Sequence, residues 1–72
     1  QQQCVDSLRL LLDELMQAGL IEQTSSPALA RLINGSLINA ALWIAQDDQS
    51  GKRLDDALQG LDLLLRGLKP QA

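Results

Sequence analysis

Residues 32–45, LINGSLINAALWIA, have the composition of a helix centre but leave almost no room for a solvent-exposed side. Within the longer segment 27–46, apolar side chains occupy two broad helical faces. Only a narrow strip that includes Arg31 and Asn39 is polar. A helix that is apolar nearly all round is usually buried. Because a chain of 72 residues buries only about 60% of its unfolded surface, this helix needs a covering surface from outside the chain.

The composition favours an all-α chain. Apolar residues make up 46% of the sequence, with a single aromatic residue and no histidine. Leucine and alanine dominate, and both are good helix formers. The net charge is −3, and the six cationic residues are scattered along the chain. Duplex binding needs a cluster of such residues, so this segment is not expected to contact DNA by itself.

Three antiparallel helices are predicted, at residues 3–18, 27–46 and 52–68, as part of a helical bundle. Gly19 suits a left-handed cap after the first helix. Ser26 is the expected N-cap of the second helix, with Pro27 at its first position. Gly67 has two interpretations, a C-terminal cap of the third helix or a point of close approach by another helix.

The central helix predicts self-association. Its broad face, with Leu29, Leu32, Ile33, Leu37, Ala40, Trp43 and Ile44, is the expected core. Three helices enclose one seam, so the second face stays uncovered. A homodimer joined through the last two helices would cover it. An alternative is that other helices of a longer chain cover these faces, and both can hold. The predicted dimer interface consists of Ala30, Asn34, Ile38, Ala41, Leu42, Ala45 and Leu63.

Two polar or aromatic residues on the central helix are candidates for a ligand site. Trp43 is either the wall of an effector pocket or the largest plug of a leucine core. Asn39 is either a hydrogen-bonding group of that pocket or an amide at its rim. Together they form the predicted effector pocket.

Catalytic chemistry is not expected. No histidine accompanies Cys4 or any serine, and clusters of metal ligands are missing from the sequence. We therefore expect no enzymatic activity, no metal and no cofactor. The stretch VDSL is similar to the serine motif of acyl carrier proteins, which would make Ser7 a phosphopantetheine site. That family has a long helix ahead of the motif, whereas six residues precede Ser7 here, so an ordinary helical serine is favoured.

The expected location is the cytoplasm, without membrane association. Cys4 is the single cysteine, which favours a reducing compartment. Asn34, Ser36 and Asn39 interrupt the longest apolar run, so a membrane span is not predicted. The opening QQQC has neither a signal-peptide layout nor an initiator methionine, which suggests a fragment of a longer protein.

The order of these elements resembles the C-terminal region of the tetracycline-repressor (TetR) family of transcriptional regulators. The resemblance lies in LDELMQAGLIEQTSSPALARLINGSLINAALWIAQ, an acidic connector, and ALQGLDLLLRGL, and covers about residues 5–68. It implies that residues 1–72 are a C-terminal regulatory domain that binds a small effector and dimerises. It also implies that operator DNA is bound only through an N-terminal helix-turn-helix domain missing from this chain. The alternative function is a stand-alone helical interaction module without a DNA-binding role.

Overall fold

The computed structural model describes residues 2–47 and 49–71, and those residues contain three α-helices and no strand. Helix α1 spans Gln2–Gln17, α2 spans Ser26–Gln46 and α3 spans Lys52–Arg66. The all-α prediction is confirmed. Residues 1, 48 and 72 lie outside the described residues, and the predicted domain bounds 1–72 remain a prediction.

Helix α1 ends in the cap that its sequence predicts. Gly19 has a φ of 75°, a left-handed conformation that glycine adopts without steric cost. The amide of Leu20 donates to the carbonyl of Leu15 at 3.0 Å, and the amide of Gly19 donates to that of Met16 at 3.1 Å. This pair of bonds is the Schellman motif, which satisfies carbonyls at the end of a helix.

The start of α2 differs from the prediction by one residue. Ser25, and not Ser26, is the N-cap, and its Oγ accepts a hydrogen bond from the amide of Ala28 at 3.3 Å. Ser26 is buried at the first helical position, and Pro27 follows it. Proline needs no amide partner anywhere in this first turn, so the sequence allowed either register.

Helix α3 ends two residues earlier than predicted. Gly67 is its C-cap, with a right-handed φ of −67°. Its amide donates to the carbonyl oxygens of Leu63 at 3.2 Å and Leu64 at 3.1 Å. The structure therefore supports the cap interpretation of Gly67. At the other end, Gly51 is the N-cap with a φ of 76°, in the left-handed region.

The hydrophobic core lies between α1 and the N-terminal half of α2. Leu12 and Met16 of α1 enclose Ala30 of α2, which has 0% of its surface exposed. The predicted place of Ala30 in a dimer interface is therefore wrong. An alanine lets two helices approach closely, and the leucines of α1 fill the space around it. Partly buried residues complete this cluster: Val5, Leu8, Ile21, Leu29 and Ile33.

The predicted core face of α2 is only partly correct. Leu29 and Ile33 pack on the core, whereas Leu32 is 70% exposed and Leu37 is also exposed. The apolar pattern of α2 is broad enough to fit several faces, and α1 selects the one on which the small Ala30 permits the closest approach.

Helix α3 runs antiparallel to α2 and is attached near both ends. Close to its start, the Arg53 guanidinium donates to the Trp43 carbonyl at 2.6 Å. Just beyond its end, the Leu68 carbonyl accepts from the Glu22 amide at 2.7 Å. Between these attachments the packing is loose, and none of residues 52–66, all of which are described, is buried.

The three helices form a layer about one helix thick. The principal extents are 41 × 31 × 13 Å, and the diameter of a helix with its side chains is about 10–12 Å. A layer this thin exposes both of its sides.

Helix α2 is long and apolar enough, by length and composition alone, to cross a bilayer. The central helices of water-soluble domains pass the same test.

Candidate functional site

An open apolar groove of about 540 Å³ separates the middle of α2 from the middle of α3. Helix α3 is attached to α2 at its start and, just beyond its end, to Glu22 in the α1–α2 loop. Between these attachments the two helices do not close on each other. Leucine and alanine side chains from both helices form most of its walls, and Gly60 widens it by having no side chain. The lining residues are Ser36, Leu37, Asn39, Ala40, Ala41, Trp43, Ile44, Leu54, Ala57, Leu58, Gly60, Leu61 and Leu64. We call this feature the α2–α3 groove.

The structure places both predicted effector residues, Asn39 and Trp43, in the α2–α3 groove. Trp43 is 42% exposed, so within this chain it is not the plug of a closed core. Asn39 contributes an exposed amide. Ser36 contributes a hydroxyl that donates to the carbonyl of Ile33 at 2.9 Å. The groove is thus an apolar channel with a few polar groups on its α2 side.

The predicted dimer-interface residues do not form one surface. Ala30 lies in the core, Asn34 is half-buried, and Ala41 lines the α2–α3 groove. The remaining four are exposed and lie outside the groove lining. They are Ile38, Leu42 and Ala45 on α2 and Leu63 on α3. We call these four residues the outer surface.

The outer surface lies on the opposite sides of its helices from the groove. Side chains two positions apart along an α-helix point in directions that differ by about 200° around the helix axis. Ile38 and Leu42 each lie two positions from Ala40, which lines the groove, and Leu63 lies two positions from Leu61, which also does. Leu63 is 70% exposed. The C-terminal half of α2 and all of α3 therefore each have two apolar sides that this chain leaves partly exposed.

One contact at the end of the α2–α3 groove has no signal in the sequence. The guanidinium carbon of Arg53 lies 4.9 Å from the centre of the Trp43 ring, a cation–π distance. The same guanidinium donates to the Trp43 carbonyl. Arg53 follows Lys52 directly in the sequence, but this adjacency does not predict a contact with Trp43. The contact depends on how the connector between α2 and α3 turns.

Beyond Trp43 the surface becomes polar. A shallow pocket beside the connector is lined by Trp43, Asp47, Gln49, Ser50, Lys52, Arg53 and Asp56. Lys52 and Asp56 form an ion pair of 3.1 Å across one turn of α3. Charged groups of both signs are therefore present, and they partly neutralise each other.

The arrangement of exposed apolar surface with a few polar groups is suited to binding. No group of three or more metal-ligating side chains occurs in the described part of the chain. Cys4 is an exposed free thiol. Ser7 lies inside α1, exposed and well past its first turn, unlike a carrier-protein serine at a helix start. What the chain presents is apolar surface with a few polar groups.

Comparisons with known proteins identify the family. Residues 1–68 match the tetracyclin repressor-like C-terminal domain family. A solved structure of a TetR-family transcriptional regulator from Pectobacterium atrosepticum superposes with a TM-score of 0.89 and is 42% identical in sequence. The alignment covers 96% of this chain and 36% of that one, so this chain spans about a third of its relative. No curated protein gives a significant match.

Proposed function

This chain belongs to the TetR C-terminal domain family, and we propose that it forms the effector-binding and dimerisation part of a transcriptional regulator. The whole regulator would bind operator DNA as a dimer, through a helix-turn-helix segment outside these residues. The observation that carries the proposal is the pair of uncovered apolar sides on a layer 13 Å thick. One side suits an effector and the other suits a second subunit.

The α2–α3 groove is the proposed wall of the effector site. Ligand sites are concave and mostly apolar, with a volume of about 300–1,000 Å³ and a small number of polar groups that orient the ligand. The groove volume of about 540 Å³ lies inside this range. Asn39 and the Trp43 ring would orient the ligand, and the groove offers no reactive group that would transform it. The proposed role is thus recognition without catalysis.

The outer surface is the proposed dimer interface. Large exposed apolar patches on a soluble protein usually mark interaction sites, and a twofold axis would bring α2 and α3 of each copy together as four helices. Ala45 is small and permits close packing. Ile38, Leu42 and Leu63 would supply most of the apolar area that is removed from water.

The proposed location is the cytoplasm. The apolar length of α2 has a sufficient explanation in this arrangement, because α1 covers one part of it, and the effector and the second subunit cover the rest. Its N-terminal half already packs against Leu12 and Met16 through Ala30, so this segment is committed to a helical core.

Dimerisation is tested by light scattering on a sizing column, with reductant present, at low and high chain concentration. We expect the mass of a dimer. The substitution Ile38→Asp should give a monomer at every concentration, since a buried unpaired charge costs about 3–5 kcal/mol. Leu10→Asp is the matched control, because Leu10 is exposed on α1 and belongs to neither surface; it should leave the mass unchanged. A folded wild-type monomer at high concentration would contradict the proposal.

The effector site is tested with 1-anilinonaphthalene-8-sulfonate, a small apolar fluorescent anion. Trp43 is the single tryptophan, so quenching of its emission by the dye reports binding beside it. Leu58→Glu, in the groove wall, should abolish the quenching, whereas Leu10→Glu, at an exposed position of α1 outside both surfaces, should preserve it. Equal quenching in both variants would mean that the dye binds elsewhere.

A further inference from the structure

The attachment of α3 to α2 depends on a contact that also borders the α2–α3 groove. Arg53 lies in the first turn of α3, and Trp43 lies in the last turn of α2. Their cation–π contact and hydrogen bond, at 4.9 Å and 2.6 Å, join these two turns. We call this pair the clamp.

Helix α2 has no basic residue of its own in its last turn. A cation near the C-terminus of a helix is stabilising, because the helix dipole places partial negative charge there. Arg53 supplies that cation from the next helix. The hydrogen bond to the Trp43 carbonyl is charge-assisted and short, which makes it stronger than a bond between neutral groups.

The N-cap of α3 is Gly51, which has no side chain to cap the helix. The Lys52 amide reaches the Ser50 hydroxyl at 3.4 Å, the long end of the hydrogen-bond range. Since no residue of α3 is buried, packing adds little here. The clamp joins this turn to the end of α2 through contacts of the Arg53 guanidinium with the Trp43 ring and with the Trp43 carbonyl.

Trp43 also lines the α2–α3 groove. Its indole is half-exposed, so surrounding water weakens its contact with Arg53. A molecule that fills the groove against the indole would exclude that water, and cation–π contacts strengthen when they are desolvated. Occupancy of the groove would thereby hold α3 more firmly against α2.

We propose that the clamp couples occupancy of the α2–α3 groove to the attachment of α3. The coupling rests on the proposed function, because α3 contributes Leu63 to the outer surface. A ligand in the groove would steady α3 and so favour the dimer, and dimerisation would favour the ligand to the same degree, since coupling between two binding sites is reciprocal. The clamp itself is a positioning device that needs no ligand to form.

The experiment is amide hydrogen exchange at Asp55, Asp56 and Ala57, the first amides of α3 with helical hydrogen-bond partners. The amide of Asp55 donates to the carbonyl of Gly51 at 3.1 Å. Arg53→Ala should speed exchange at least roughly threefold to tenfold, because it removes the exposed cation–π contact and the hydrogen bond to the Trp43 carbonyl. Trp43 emission should shift in the same variant, and Arg53→Lys should lie in between because it keeps the charge but loses the planar group.

The matched control is Arg66→Ala. Arg66 is exposed on the same helix and pairs with Asp62 at 2.8 Å. The substitution therefore removes the same charge without removing a contact with α2. Exchange at Asp55 and Trp43 emission should both stay at their wild-type values. If Arg53→Ala behaves like Arg66→Ala, the clamp does not hold α3 and the inference fails.

Coupling is read by adding 1-anilinonaphthalene-8-sulfonate. In the wild-type chain the dye should slow exchange at Asp55, and in Arg53→Ala it should not. Equal slowing in both would overturn the coupling. A dye that leaves Trp43 emission unchanged in the wild type would count against the effector site itself, while the dye-free exchange rates would still decide whether the clamp exists.

Discussion

The α1–α2 contact and the α2–α3 contact use similar leucine-rich sequences, yet only the first excludes water. Leu12 is 3% exposed where α1 meets α2, whereas Leu58 is 54% exposed where α3 faces α2. The difference arises at the helix ends. The Schellman cap at Gly19 turns α1 directly onto α2, while α3 is tied to α2 at its start and to the α1–α2 loop beyond its end, which leaves the α2–α3 groove between. One contact is complete within the chain, and the other leaves apolar side chains exposed.

The largest expected effect tests the completed contact. Leu12→Ala should lower the free energy of unfolding by about 2–5 kcal/mol, because it leaves a cavity in a packed core. Leu10→Ala, on the exposed side of the same helix, should change it by less than about 0.5 kcal/mol. Urea unfolding followed by circular dichroism measures both. Similar losses would mean that α1 has no defined buried side.

The next prediction concerns the cap that positions α1. Gly19 has a left-handed backbone, and a side chain in that conformation costs about 1–2 kcal/mol. Gly19→Ala should therefore lower the free energy of unfolding by about that amount in the same urea experiment. A neutral result would show that the turn after α1 has another conformation in solution.

A substitution of glycine by alanine in the α2–α3 groove should have the opposite effect and raise the free energy of unfolding. Gly60 is helical and lines the groove, and a Cβ atom there would meet no atom within 4 Å. Because alanine favours a helix by about 1 kcal/mol over glycine, Gly60→Ala should stabilise the chain. It should also reduce quenching of Trp43 by 1-anilinonaphthalene-8-sulfonate, since the methyl group occupies groove volume. Destabilisation would contradict an open groove.

The smallest effect is expected at Asp55, in the first turn of α3. Its carboxylate is exposed, and an exposed substitution away from a cap or core rarely changes stability by more than about 0.5 kcal/mol. Asp55→Asn should leave both unfolding and dimer mass almost unchanged. A large change in either would reveal a role for this carboxylate outside the proposed surfaces.

The ends of the three helices were predicted to within two residues because the signals for them are local. Gly19, the Ser-Pro step and the leucine spacing each act within one turn of the chain. The face of α2 that forms the core was not predictable in the same way. Hydrophobicity marks at least two faces of α2, and the choice between them depends on size, since Ala30 permits an approach that Leu32 does not.

The candidate site followed from sequence only in part. Asn39 and Trp43 were predicted as pocket residues because a polar group and an aromatic ring stand out on an apolar helix. The contact of Arg53 with Trp43 joins residues ten positions apart, through a turn whose path depends on the left-handed Gly51. No spacing rule encodes that path, so this part of the site came from the structure alone.

The central claim is that the α1–α2 contact is complete within one chain, whereas α3 becomes covered only in a dimer. Amide hydrogen exchange measured at several chain concentrations tests this claim most directly. Protection of α1 around Leu12 should be independent of concentration. Protection of α3 around Leu63 should rise with concentration as dimers form, and Ile38→Asp should remove that rise. Equal concentration dependence in both helices, or none in α3, would contradict the account.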